Sequence, residues 1–114
     1  MKKVKFVEVS LCRSGVDVWN VFEREGESVS EMFEEFYEEV VGKVKKDLLE
    51  EGCSVEEVER EISEFFVKEG NGFSFMEEGC YIMVEEGSGF WDIENWEEWE
   101  DEKWNEFVKF VCEV

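Results

Sequence analysis

The chain has 114 residues and a formal charge of −20, from 32 acidic and 12 basic side chains, with a pI near 4.2. That balance excludes direct binding to nucleic acid or to an anionic membrane, since both need Lys and Arg to neutralise phosphates. Hydrophobic residues at 43%, with eleven Phe and five Trp, exclude a disordered acidic tail, and the length fits one compact acidic domain over residues 1–114.

Residues 3–12 place Val7, Val9 and Leu11 on one face and Glu8 and Ser10 on the other, the period of a strand. Arg13-Ser14-Gly15 reads as a short turn and Val16 to Glu23 as a β-rich return, which together predict a hairpin. Ser28 and Glu31 then form a Ser-x-x-Glu capping box, in which each side chain satisfies an orphan amide at a helix start. Met32, Phe33, Phe36, Val40, Val44 and Leu48 recur at spacings of three and four, along one stripe of a helix reaching about Glu51. Its first half carries Glu31, Glu34, Glu35, Glu38 and Glu39 and its second half Lys43, Lys45 and Lys46, matching the helix macrodipole, and Gly52 supplies the stop.

Ser54 and Glu57 repeat the capping box, and Val55, Val58, Ile62, Phe65 and Phe66 predict a second amphipathic helix ending near Gly70, so that the two helices form an αα-hairpin. Phe73 and Phe75 alternate with Ser74, a Glu-Glu-Gly turn follows, and Cys80 to Val84 is β-rich, a second hairpin. In the last segment Ile93, Trp96, Trp99, Trp104, Phe107, Phe110, Val111 and Val114 share one arc of a helical wheel, which predicts one long helix. The alternation of residues 107–114 leaves a helix to about residue 105 followed by a strand as the alternative. The order ββ-αα-ββ-α predicts an α+β fold, an antiparallel sheet of about four strands with the helices on one face.

Ala, Thr, Pro, Gln and His are absent, and these are the five residues whose every codon requires a cytosine. Leu occurs only as Leu11, Leu48 and Leu49. Such a bias points to a strand-skewed genome, that of a small virus or plasmid, or to a recoded gene. The acidic surface is then either selected or simply permitted by purine-rich codons. The charge is uneven: Lys2, Lys3, Lys5 and Arg13 against Glu8 and Asp17 leave residues 1–20 at +2, so residues 21–114 carry −22.

No apolar stretch approaches the roughly 20 residues of a membrane span, and no signal-peptide core is present, which predicts a cytoplasmic location inside a host cell. Cys12, Cys53, Cys80 and Cys112 are spread too widely for a zinc site, and reduced thiols are expected unless the source is a hyperthermophile. Without His the usual Ser-His and Cys-His nucleophile pairs cannot be built, and there is no Gly-rich phosphate loop. Asp17, Asp47, Asp92 and Asp101 suit a divalent ion or acid/base chemistry, but among 32 acids such groupings arise without selection. The expectation is a protein with no catalytic activity, cofactor or metal.

Trp91 to Glu106 is the most distinctive segment, with four Trp, eight acids and Lys103 as the only base. Aromatic faces beside dense carboxylates suit a surface that receives Arg and Lys. Trp96, Trp99 and Trp104 lie on the apolar stripe and are expected in the core, whereas Trp91 lies outside it and is the better candidate for exposure. The candidate partner-binding residues are Trp91, Glu94, Glu97, Glu98, Glu100, Asp101 and Glu102 here, and Glu34, Glu35 and Glu38 in the first helix. In size, charge and aromatic content the chain resembles the viral anti-restriction and anti-CRISPR proteins that mimic nucleic acid. The resemblance is one of general character and transfers no residue. It implies a basic host partner, one that itself binds nucleic acid; the alternative is a self-associating structural or accessory protein whose aromatic stripes bury against copies of the chain.

Overall fold

Two long strands open the chain, and everything else packs on the sheet they begin. The computed structural model describes residues 1–12, 15–69, 72–75 and 79–112. Strands β1 (Lys2–Cys12) and β2 (Gly15–Gly26) pair antiparallel as the predicted hairpin; Arg13 and Ser14, assigned to its turn, lie outside the described residues. The register slips between Glu8↔Asn20 and Val9↔Val18, leaving Trp19 as the extra residue of a β-bulge.

Helix α1 (Val29–Glu50) starts where the capping box requires, with the Ser28 side chain accepting the Glu31 N–H at 3.3 Å. It ends in a Schellman motif: Cys53 N–H reaches the Leu48 carbonyl and Gly52 N–H the Leu49 carbonyl, both at 3.1 Å. Gly52 stands at φ +98°, a left-handed conformation that a side chain would strain. Helix α2 (Val55–Phe65) is capped in the same way by Ser54, which accepts the Glu57 N–H at 3.2 Å.

Three short strands follow, β3 (Phe66–Glu69), β4 (Gly72–Phe75) and β5 (Gly79–Glu85), then a 3₁₀ helix (Ile93–Glu98) and α3 (Asp101–Cys112). The sheet runs β2-β1-β5-β4-β3 with every neighbouring pair antiparallel. The fold is α+β, as the element order implied, with three differences in detail. First, the sheet has five strands rather than four. The sequence carries α2 on to about Gly70, which is itself outside the described residues, but the chain leaves the helix at Phe66 (ψ 123°) and pairs Phe66 with Phe75. Cross-strand pairing and burial of Phe66 among aromatic rings outweigh its place on the helical stripe.

Second, the helices cover both faces of the sheet rather than one. Val4 and Phe6 of β1 point into a cluster with Met32, Phe36 and Val41 of α1, Phe66, Phe73 and Met83. Val7 and Val9 point the other way, onto Ile82, Val84, Ile93, Phe107 and Val111. β1 is thus buried on both sides, as a central strand must be when each face carries its own layer. Third, the last segment is neither one helix nor helix plus strand. Trp99 is extended (ψ 146°) and separates the 3₁₀ helix from α3, whose first bond runs from the Trp104 N–H to the Glu100 carbonyl at 3.0 Å. That bend lets the Trp99 ring meet Phe90 and Phe107 at 6.0 and 5.7 Å between centroids. Residues 107–112 are helical, and residues 113 and 114 lie outside the described residues.

Candidate functional site

The amphipathic stripe that seats α1 on the sheet turns its other side to solvent; the first half of that side is acidic and the second half carries the exposed Lys43, Lys45 and Lys46. Glu31, Glu34, Glu35, Glu38 and Glu39 are all exposed. At 100° per residue they occupy an arc of about 140°, and at 1.5 Å rise their five carboxylates span about 12 Å, roughly one charge per 3 Å of helix axis. Glu34, Glu35, Glu38 and Glu39 line a shallow depression. Two of the five are engaged by cations from opposite edges of the sheet: Glu34 by Lys68 at 2.8 Å and Glu39 by Arg24 at 3.2 Å. Both pairs are exposed and exchange easily with a competing cation. No ion pair to Glu31, Glu35 or Glu38 exists among the described residues.

The second set of candidates lies on the opposite face, so the sequence-derived residues do not form one surface. Glu97, Glu98, Glu100, Asp101, Glu102 and Glu106 are exposed around the junction of the 3₁₀ helix and α3. Trp96, Trp99 and Trp104 are half-buried beneath them, Trp96 and Trp104 packed at 5.1 Å, as their place on the apolar stripe implies. Asp92 accepts from Lys103 at 2.8 Å and from the Trp99 indole at 3.1 Å. The Lys103 bond holds its carboxyl below the ordinary range, with the indole adding to it.

Trp91 is half-buried and engaged within the chain, which corrects the expectation of its exposure, while Glu94 is exposed and paired with Lys5. Lys5 is buried, at 6% exposure, and its ammonium donates to the Trp91 carbonyl at 2.6 Å and to Glu94 at 2.9 Å while standing 4.1 Å over the Trp91 ring. The half-buried Trp91 therefore already receives a cation from within the chain. The exposed Trp is Trp19, at 66%, with its indole N–H bonded to Ser10 Oγ at 2.7 Å. A signal for it was present in the sequence: Val16 and Val18 face the same layer as Val21, and that change of parity marks the bulge.

Beneath α1, the Glu8 carboxylate accepts from Asn20 at 2.7 Å and from the Tyr81 hydroxyl at 2.8 Å. Burial, then the bond to Glu8, pushes the Tyr81 hydroxyl far above its usual range, which keeps it a neutral donor. The half-buried Cys53 thiol is pushed up by burial and by the nearby Glu61, Glu57 and Glu51 carboxylates, the reverse of what activates a thiol nucleophile. Among the described residues no group of three or more Cys, Asp and Glu is placed to hold a metal ion. Nor is any described helix long and apolar enough to cross a membrane.

The chain matches no known protein family, no curated protein and no solved structure. What the molecule can do is therefore read from its own surface: two broad acidic faces on a body 47 × 38 × 21 Å in extent.

Proposed function

We propose that this protein binds a basic partner surface of the kind that holds nucleic acid, presenting carboxylates where the partner expects phosphates. The observation that carries the reading is the acidic arc of α1. Its spacing of roughly one charge per 3 Å is close to the ~3.4 Å per phosphate along one strand of a duplex. Being fixed on a capped helix, these charges need little ordering on binding. Viral or mobile-element origin inside a host cell belongs to the same proposal and rests on the cytosine-free codon pattern alone. Self-association is the weaker reading, because two copies carrying −20 each repel.

The test is capture from a host lysate with the tagged protein and with a variant in which Glu31, Glu34, Glu35, Glu38 and Glu39 are all Gln, eluted on a salt ladder and read by mass spectrometry. The proposal expects a nucleic-acid-binding protein in the early salt steps, displaced by added DNA or RNA and absent with the variant. Capture that is equal with the variant, or that survives molar salt, refutes it.

A further inference from the structure

Strand β2 forms one edge of the sheet, and at twelve residues it is the longest strand in it. Fully extended it spans about 40 Å. Its outward backbone can be located from the ladder. The Lys3 carbonyl accepts the Glu86 N–H at 3.1 Å, so Lys3 bonds toward β5. Successive residues of an antiparallel strand bond to alternate sides, so Val4, Phe6 and Glu8 bond toward β2 through their partners Arg24, Phe22 and Asn20. The N–H and C=O groups of Val21, Glu23 and Glu25 therefore point away from the sheet. Consistent with this, the Glu23 carbonyl is met by the Arg24 guanidinium, Nη1 at 3.0 Å, rather than by a neighbouring strand.

We propose that this outer edge receives an extended, arginine-bearing segment of a partner protein as a sixth strand, with Trp19 stacking on one of its guanidinium groups. The inference rests on the reading of a basic partner and says how part of it docks. Charge selects the occupant. Asp17, Glu23, Glu25 and Glu27 are exposed along or just beyond the edge, and Arg24, the cation there, is drawn aside to Glu39. A second copy of this chain paired through β2 would set these carboxylates against their own twins, and like charges directly opposite destabilise a ladder. Trp19, the bulge residue, is exposed, and its indole bond to Ser10 of β1 holds the ring beside β2, where a flat cation of an added strand can reach across to it. An incoming strand would supply the N–H that replaces Arg24 at the Glu23 carbonyl. The opposite edge, β3, offers four residues and carries Lys68, so it suits a cationic strand less well.

The test uses the full chain and a blocked decapeptide of alternating Arg and Thr, with binding measured by calorimetry and amide exchange by NMR. The proposal expects the Val21, Glu23 and Glu25 amides to slow about tenfold or more at saturation. Trp19→Ser should weaken binding about fivefold or more. Glu23→Pro, which removes an outward N–H and leaves the β1 ladder intact, should weaken it by at least about tenfold, while Glu23→Gln changes it by no more than about threefold. Should Glu23→Pro not fold, the same peptide N-methylated at alternate amides must lose binding to the wild-type chain. Binding that leaves those three amides and the Trp19→Ser affinity unchanged means contact by charge alone; it overturns the docking on β2 while the basic-partner reading stands. Equal binding of a Glu-Thr decapeptide overturns the choice of occupant. Failure of the Arg-Thr peptide to bind a protein that still captures its partner through α1 overturns the β2 site by itself.

Discussion

Lys5→Met removes the one buried charged side chain among the described residues, at the junction of β1 and the C-terminal layer, and its cost can be worked from the contacts. Met keeps the apolar stem, so the loss is confined to the ammonium. Its bond to the Trp91 carbonyl at 2.6 Å is charge-assisted and contributes about 1.5–3 kcal/mol. The 4.1 Å approach to the Trp91 ring adds about 1 kcal/mol. The pair with Glu94, whose side chain is 53% exposed, is screened by solvent and contributes under about 1 kcal/mol. The net destabilisation is about 3 kcal/mol; with an unfolding entropy near 2.1 cal/mol/K per residue, it lowers Tm by roughly 12 °C. Urea titration of wild type, Lys5→Met and Glu94→Gln measures it. The expected order is a large loss for Lys5→Met and under about 1 kcal/mol for Glu94→Gln, with unchanged m-values. Equal losses in the two variants, or a loss below about 1 kcal/mol for Lys5→Met, would refute the argument that the ammonium ties the 3₁₀ segment to β1.

Phe36, 3% exposed, stacks on Phe6 at 4.1 Å between centroids and meets Phe22, Phe73 and Tyr81, so Phe36→Ala should cost about 3–5 kcal/mol by urea denaturation. Tyr81 ionises at higher pH in the folded state than in the unfolded one. Its stabilising contribution is therefore full below its unfolded pKa of about 10 and is lost as pH rises toward the folded value; ultraviolet titration should show one tyrosine still neutral after an unfolded chain's tyrosines have ionised. Asp92 has the opposite sign: its lowered pKa stabilises the fold above an unfolded value of about 3.9, and the gain is lost as pH falls through the folded one. Because Asp92 is half exposed, Asp92→Asn should cost well under about 1 kcal/mol at neutral pH. With a charge of −20, added salt at neutral pH should raise Tm by screening self-repulsion; a Tm that falls on going to about 0.5 M NaCl would contradict this.

The parts of the fold written in local chemistry were legible. Ser28 and Ser54 cap the two helices they were expected to cap, and Gly52 ends the first, because capping depends only on residues within one turn. What the sequence hid was set by distant contacts. Phe66 sits on the helical stripe of α2, yet its partner in β4 makes it the first residue of a strand. The second helical layer was hidden because β1 shows one alternation while being buried on both faces, its inward residues Val4 and Phe6 interleaved with Lys5. Lys5 reads as an ordinary surface cation until the chain brings Glu94 and Trp91 to it, and this is also why Trp91, outside the apolar stripe, is half-buried rather than exposed. A local sign of the break before α3 did exist: Glu100, Asp101 and Glu102 mark a helix start by the macrodipole rule, although no Gly announces it. The candidate acids on α1 and those near α3 are exposed, and only the fold reveals that they lie on opposite faces.

The central claim is that the carboxylates of α1 stand in for phosphates. It is tested most directly by measuring the affinity of the captured partner for the wild-type chain and for the five-Gln α1 variant between about 50 and 200 mM salt, with duplex DNA as competitor. The wild-type affinity should fall at least about tenfold across that range, the duplex should displace the partner, and the variant should lose binding. An affinity that is flat with salt, or the same in the variant, would contradict it.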